Sequence, residues 1–190
     1  MLKIKIFLLL FFCTKAFAES GAGIEGGLAY GDIGAEDTAQ QIANLSGSTV
    51  LAEWERATWY GRFFYEQELT SESFLDVGYF MSGSLDAKYT LSGVSATEGY
   101  TASGFEASYG IKNDGLFFKG GVHQSKIDGV ANITIGGTTY NLASASESGM
   151  NFLFGGGVED DKVRYGVTYY NSVGGVSDAN FWILYYGIKF

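Results

Sequence analysis

Beyond its first twenty residues this chain repeats its apolar side chains at every second position, and no proline interrupts the pattern. A period of two places alternate side chains on opposite faces of an extended strand, whereas an amphipathic helix needs a period near 3.6. Proline donates no backbone hydrogen bond, so its absence permits long, continuous strand ladders. Eight alternating segments can be marked, at 22–31, 57–67, 73–83, 101–112, 115–127, 149–159, 162–172 and 180–190. Only "EDTAQQIANL", residues 36–45, has the spacing of a short helix.

The connections alternate in length. "ELTSES", "NDG" and "DD" are tight turns after the second, fourth and sixth segments, and the other connections are longer and rich in Ser, Thr, Gly and Asp. Short turns at one end and long loops at the other are the pattern of an antiparallel up-and-down barrel. In the third long connection, "ANITIGGTTYNL" sets Gly136 and Gly137 between two alternating runs, the signature of a two-residue hairpin. The fifth and sixth segments are therefore expected to continue past the barrel as a ribbon.

Each strand has one greasy face. Trp59, Phe63 and Tyr65 oppose Arg62 and Glu66; Leu75, Val77 and Tyr79 oppose Asp76; Phe105, Ala107 and Tyr109 oppose Glu106. Phe118 and Val122 oppose Lys119 and His123, Phe152 and Phe154 oppose Glu159, and Tyr165 and Val167 oppose Arg164. A soluble, lipocalin-like barrel would turn the apolar face inward and crowd the other with charge. Here the polar face is thin, with one or two charges per strand among several glycines, as the narrow interior of an eight-stranded barrel requires. The expected fold is all-β, an eight-stranded antiparallel up-and-down transmembrane β-barrel. Its lumen charge network would comprise Arg62, Glu66, Asp76, Glu106, Lys119, His123, Glu159, Arg164 and Lys189.

The two ends of the chain agree with export. Lys3 and Lys5 precede an apolar run from Ile6 to Phe12, and Ala16-Phe17-Ala18 gives a small-x-small cleavage pattern, so residues 1–18 read as a cleaved signal peptide and 19–190 as the barrel domain. Cys13 leaves with the signal, and Phe12 before it is too bulky for a lipoprotein site. The mature chain then has no cysteine, and losing Lys3, Lys5 and Lys15 moves its formal charge from −9 to −12, which disfavours nucleic acid as a partner. At the other end, Trp182, Leu184, Tyr186, Ile188 and Phe190 alternate to the last residue. In lipid the last strand must pair with the first so that no backbone group is left bare, and a chain can stop there without a polar tail.

"SFLDVGYF", "GLFFKGGVHQSKID", "MNFLFGGGVEDDKVRYGVTYYN" and "FWILYYGIKF" resemble the OmpA-like transmembrane domain family. The resemblance spans most of 22–190 outside the loops, and its motifs are shared with other eight-stranded barrels. It implies a Gram-negative cell outer membrane as the location, with short turns periplasmic and long loops extracellular. It also implies that the alternating C-terminal residues form an assembly signal for the barrel-assembly machinery. The peptidoglycan-binding domain carried by some members is not expected here.

No cofactor, metal or catalytic site is expected. His123 and Ser125 share a strand face and could join Glu106 or Glu159 in a Ser-His-acid arrangement, but a hydrogen-bonded lumen histidine explains them more simply. Loop acids such as Asp32, Glu36, Asp37, Asp86, Glu98, Asp128, Glu147 and Asp178 lack the spacing of a calcium loop. The expected function is a structural, surface-presenting anchor for extracellular loops, serving adhesion or envelope integrity. Its partners would be outer-membrane lipid, lipopolysaccharide and an extracellular ligand or host surface. The alternatives are a narrow ion-conducting pore and a lipid-A-modifying enzyme.

Overall fold

The structure is a computed structural model that describes residues 20–32, 34–91 and 94–190; the signal peptide expected at 1–18 lies outside the described residues. Its strands are β1 (Ser20–Asp32), β2 (Leu51–Trp54), β3 (Ala57–Thr70), β4 (Ser73–Ser82), β5 (Leu85–Leu91), β6 (Val94–Asn113), β7 (Leu116–Ile135), β8 (Thr138–Asp160), β9 (Val163–Tyr170) and β10 (Asn180–Lys189). A helix, α1 (Ala35–Ser46), follows β1, and a 3₁₀ turn occupies Val173–Gly175.

Eight strands form a ring in the order β1-β3-β4-β6-β7-β8-β9-β10, every neighbour antiparallel, and β10 returns to β1 in register from Gly23↔Lys189 to Asp32↔Asn180. The ring therefore has no edge, which is how a sheet satisfies all of its backbone groups in an apolar medium. Asp114 and Gly115 both have positive φ (49° and 78°), as do Gly136 and Gly137 (59° and 82°). Two consecutive positive-φ residues make the turn whose twist matches the flanking strands.

Alternation sets the faces as expected. Phe63 is 60% exposed, Phe105 67% and Leu184 61%, whereas Arg62 is 1% exposed and Asp76 and Arg164 0%. The apolar side chains form the outside of the ring and the charges its centre.

The long-loop end differs from expectation. Residues 51–54, read as part of a long connection, form β2; the chain breaks at Glu55 and Arg56, and β2 pairs with β5 instead of joining the ring. Residues 84–100, read as a connection, form β5 and the start of β6, paired from Leu85↔Tyr100 to Leu91↔Val94. The ribbon of β7 and β8 is consequently one part of a larger sheet. β2, β5 and the outer parts of β6, β7 and β8 form five strands beyond the ring, because β6–β7 and β7–β8 stay paired as far as Ile135 and Thr138, the latter pair through one register shift at Ala131/Asn132. "LDAKYTL" alternates, but at seven residues it carries too weak a signal to separate from a loop.

The inward face also carries large rings, at the parity of the charges, where the sequence reading expected charges and glycines. Phe64, Phe74, Phe80, Phe117, Tyr60, Tyr170 and Tyr185 are all buried. Several lie over inward glycines: a Cβ at Gly110 would stand 2.1 Å from Phe74 Cζ, and one at Gly23 would stand 2.3 Å from Phe64 Cζ. Rings fill the volume that neighbouring glycines leave, so the lumen reaches interior density without more charge. Gly157 has a stricter requirement, since its Cβ would fall 1.9 Å from the Tyr165 carbonyl oxygen across the β8–β9 ladder. Gly157→Val is expected to lower stability by about 1–3 kcal/mol, read from urea unfolding in detergent or lipid. Outward Gly26→Val, where the nearest atom would be 3.9 Å away, should change little.

Candidate functional site

The lumen is a stack of ion pairs capped by aromatic rings. At its centre Arg62 on β3 reaches Glu25 of β1 at 2.9 Å, Glu106 of β6 at 2.7 Å and Asp76 of β4. Lys119 on β7 stands 3.7 Å from Asp76 and 3.6 Å from Glu106, and Arg164 on β9 stands 3.6 Å from both Glu25 and Asp76. Three cations thus share three carboxylates, the six groups coming from six strands. Arg62 and Arg164 also lie 4.9 and 5.0 Å from the Phe64 ring, and Arg164 lies 4.9 Å from that of Phe117. Flat, weakly hydrated guanidinium groups tolerate such stacking in a low-dielectric interior.

Toward the short turns, Arg164 also pairs with Glu66 and Glu159. Lys112 reaches Glu66 at 2.6 Å and Glu159 at 2.8 Å, and Lys189 reaches the same two carboxylates. This lower tier borders an open cavity of about 470 Å³ at that end. Five acids (Glu25, Glu66, Asp76, Glu106, Glu159) and five bases (Arg62, Lys112, Lys119, Arg164, Lys189) therefore balance within the lumen, and a sixth acid, the more exposed Glu68, joins the network at its rim through Lys112 at 3.3 Å. Sequence reading missed Glu25 and Lys112. Both fall on inward parity, Glu25 between Gly23 and Gly27 and Lys112 two residues beyond Gly110, so the alternation contained the signal.

The long-loop mouth is closed by uncharged groups. Tyr60 and Tyr170 hydroxyls lie 3.2 Å apart, and Tyr170 donates to Glu106. His123 Nε2 is 2.9 Å from the Asn171 carbonyl oxygen, which can only accept, so Nε2 carries the proton and Nδ1 accepts from the Ser125 hydroxyl at 3.0 Å. Ser125 Oγ in turn accepts the Gly174 N–H at 2.8 Å. A backbone carbonyl occupies the place that a triad carboxylate would hold, and Glu106 is engaged by Tyr170 and Arg62. His123 and Val173 are fully buried, so this arrangement pins the β9–β10 connection into the mouth and leaves its hydroxyl no path to a substrate.

Above the mouth, α1 packs on the projecting sheet: Ala39 and Ile42, together with Ala52 and Ala96, lie against Ala87 and Tyr89. Glu98 accepts from Tyr89 at 3.3 Å and from Tyr100 at 3.1 Å. Burial first, and the Glu98 charge second, push both phenols from 10 up to about 12. Their folded forms resist ionisation, so this contribution to stability is complete below about pH 10 and is lost as the pH rises to about 12. Tyrosinate absorbance should show two phenols titrating late, and Glu98→Gln should bring them back toward 10. Within the lumen, Arg62→Ala removes the nearest cation from three buried carboxylates, leaving them to Lys119 and Arg164 at 3.6–3.7 Å, and is expected to cost about 3–5 kcal/mol, measured by urea unfolding of the refolded protein.

An edgeless ring with apolar side chains outside and paired charges inside has the fold of an outer-membrane β-barrel. Comparison with solved structures agrees. Ail, the attachment invasion locus protein of Yersinia pestis, matches with a TM-score of 0.51 at 14% identity, over 91% of this chain and all of Ail. A second Ail structure, in complex with the heparin analogue sucrose octasulfate, matches with a TM-score of 0.50 at the same identity and coverage. No protein-family model matches the sequence, and no curated protein matches it. The OmpA-like resemblance therefore stands as a resemblance, and the fold is what the comparison establishes.

Proposed function

We propose that the mature chain is a small outer-membrane barrel whose work is done by the sheet it raises at its long-loop end. The observation that carries this reading is the contrast between a filled, charge-balanced lumen and three strands that run far beyond the ring. β6, β7 and β8 contain 20, 20 and 23 residues. At about 3.3 Å per residue these reach roughly 65 Å, against a hydrocarbon band of about 25 Å. The surplus lies at one end, and this supports a reading in which the short turns face the periplasm and the five-stranded sheet stands outside the cell. The outward residues Trp182, Leu184, Tyr186, Ile188 and Phe190, all substantially exposed on the outside of the last strand, would serve as the assembly signal for the barrel-assembly machinery.

Adhesion is the favoured role, with lipopolysaccharide and membrane lipid around the belt. Ail has been crystallised with a heparin analogue; the charge on this chain argues for a different ligand. Its long-loop end carries ten acids against three bases, Arg56, Lys88 and Lys126. A polyanion would be repelled, and a cationic surface or peptide attracted. Pore and enzyme readings have weaker support: the lumen cross-section holds rings and paired charges, and the Ser125–His123 pair is sealed.

The test is membrane fractionation with gel mobility before and after boiling, together with labelling of intact cells. The mature protein should fractionate with the outer membrane and shift in mobility on boiling. A cysteine placed at Thr139 should be labelled from outside by a membrane-impermeant maleimide, and one at Glu72 should not. A freely soluble periplasmic protein, or the reverse labelling, would overturn the proposal.

A further inference from the structure

The projecting sheet is protected at one edge and open at the other. β2, the first edge, is four residues long and is followed at once by Glu55 and Arg56. The opposite edge is β8. From Thr138 to Glu147 it pairs with β7 on one side, and its pairing with β9 begins only at Leu153. Among the described residues no strand lies along this stretch, and every residue in it is exposed. Natural edges are blunted by lysine, proline or inward charge. Here the sequence is TTYNLASASE, with no lysine or proline and one charge, Glu147. A register shift opposite Asn132 interrupts the edge near Leu142, leaving Ala143–Glu147 as an unbroken run.

This run borders a cavity of about 400 Å³. Its floor is apolar, formed by Tyr100, Ile127 and Val176, and Ala145 and Glu147 of β8 open into it. Its rim carries three carboxylates from separate elements: Asp37 on α1, Glu147 on β8 and Asp178 in the β9–β10 connection. A strand added to β8 would project alternate side chains inward over this cavity. An aliphatic stem would meet the floor and a positive head the rim.

We propose that the β8 edge binds an extended basic peptide by strand addition, with a lysine or arginine side chain seated in the Tyr100–Ile127–Val176 cavity. Backbone hydrogen bonds to the open edge supply affinity, and the cavity selects the side chain. A second copy of this chain is the poorer occupant, because it would bring Glu147 and the same acidic rim against their equivalents. The inference rests on the surface-presenting role proposed above, since it names the site through which the sheet would bind.

The test uses the refolded mature protein in detergent micelles and a fluorescent peptide of about ten residues alternating valine and lysine. Binding should be saturable and absent for the valine–glutamate counterpart. Only alternate amides of an added strand face the sheet. N-methylation of one set of alternate amides should therefore weaken binding at least about tenfold, and methylation of the other set should leave it unchanged. Ala145→Trp, which fills the cavity, and the pair Glu147→Lys with Asp178→Lys should each weaken binding about tenfold, while boiling-dependent mobility confirms that the variants fold. Equal binding by both methylated peptides would reduce the effect to charge attraction and overturn the proposal. So would absence of binding to the lysine peptide, or a dimer in sedimentation equilibrium that Ala145→Trp dissolves. Because the binding assay does not depend on cellular location, a buried or periplasmic sheet with intact binding would sink the surface role alone. A surface-exposed sheet that ignores the peptide would sink this inference alone.

Discussion

The pairing of β1 with β10 is the contact on which the rest of the structure depends. Residues near the two ends of the chain meet in a ten-residue ladder, from Gly23 against Lys189 to Asp32 against Asn180. Without it the sheet would have two bare edges whose N–H and C=O groups find no partner in lipid, at several kcal/mol for each group. With it the outside needs nothing but apolar side chains. Contacts of such long sequence separation form only after most of the chain has been ordered, so closure and lumen packing are cooperative.

Closure in turn imposes the lumen. A ring of eight strands encloses space for side chains only, and its polar face must be satisfied from within. The chain meets this in two ways. Charges from β1, β3, β4, β6, β7, β8, β9 and β10 neutralise one another across the ring, so no carboxylate depends on a single partner. Between them, rings such as Phe64 and Phe74 occupy the space above glycines on neighbouring strands. A buried ion pair alone is weak evidence of stability. Its worth here is geometric: Arg62 can meet Glu25, Asp76 and Glu106 together in one register only, and a one-residue slip of any of their four strands would turn that strand's charge to the lipid face.

The mouth and the sheet above it follow different rules. In the lumen the membrane dictates which face is apolar; beyond the ring the sheet has water available on both sides. There α1 covers Ala87 and Tyr89, and the remaining inner face, with Ile133 and Ala143, is left more open. Ten acids lie at this end against three bases, and Glu68, Glu72, Asp114, Asp160 and Asp161 lie at or beside the short turns, so the negative charge belongs to the two ends of the barrel and not to its lumen.

What alternation alone could determine was the ring: eight strands, their inward and outward faces, the Gly136-Gly137 turn and the nine lumen residues from Arg62 to Lys189. Period two is a local property, and a lipid-facing strand enforces it at every residue. Glu25 and Lys112 were equally legible by parity and were obscured by the glycines around them. Phe74 and Phe80 share the parity of Asp76, so their inward direction was legible too. Other features depended on the tertiary structure. That β5 leaves the ring to pair with β2 and β6, that Gly110 on β6 makes room for the Phe74 ring, and that His123 holds the β9–β10 connection are decided by partners distant in sequence. Short strands such as "LAEW" and "LDAKYTL" carry too few residues for their pattern to outweigh a loop, and only the strand beside each one settles where it pairs.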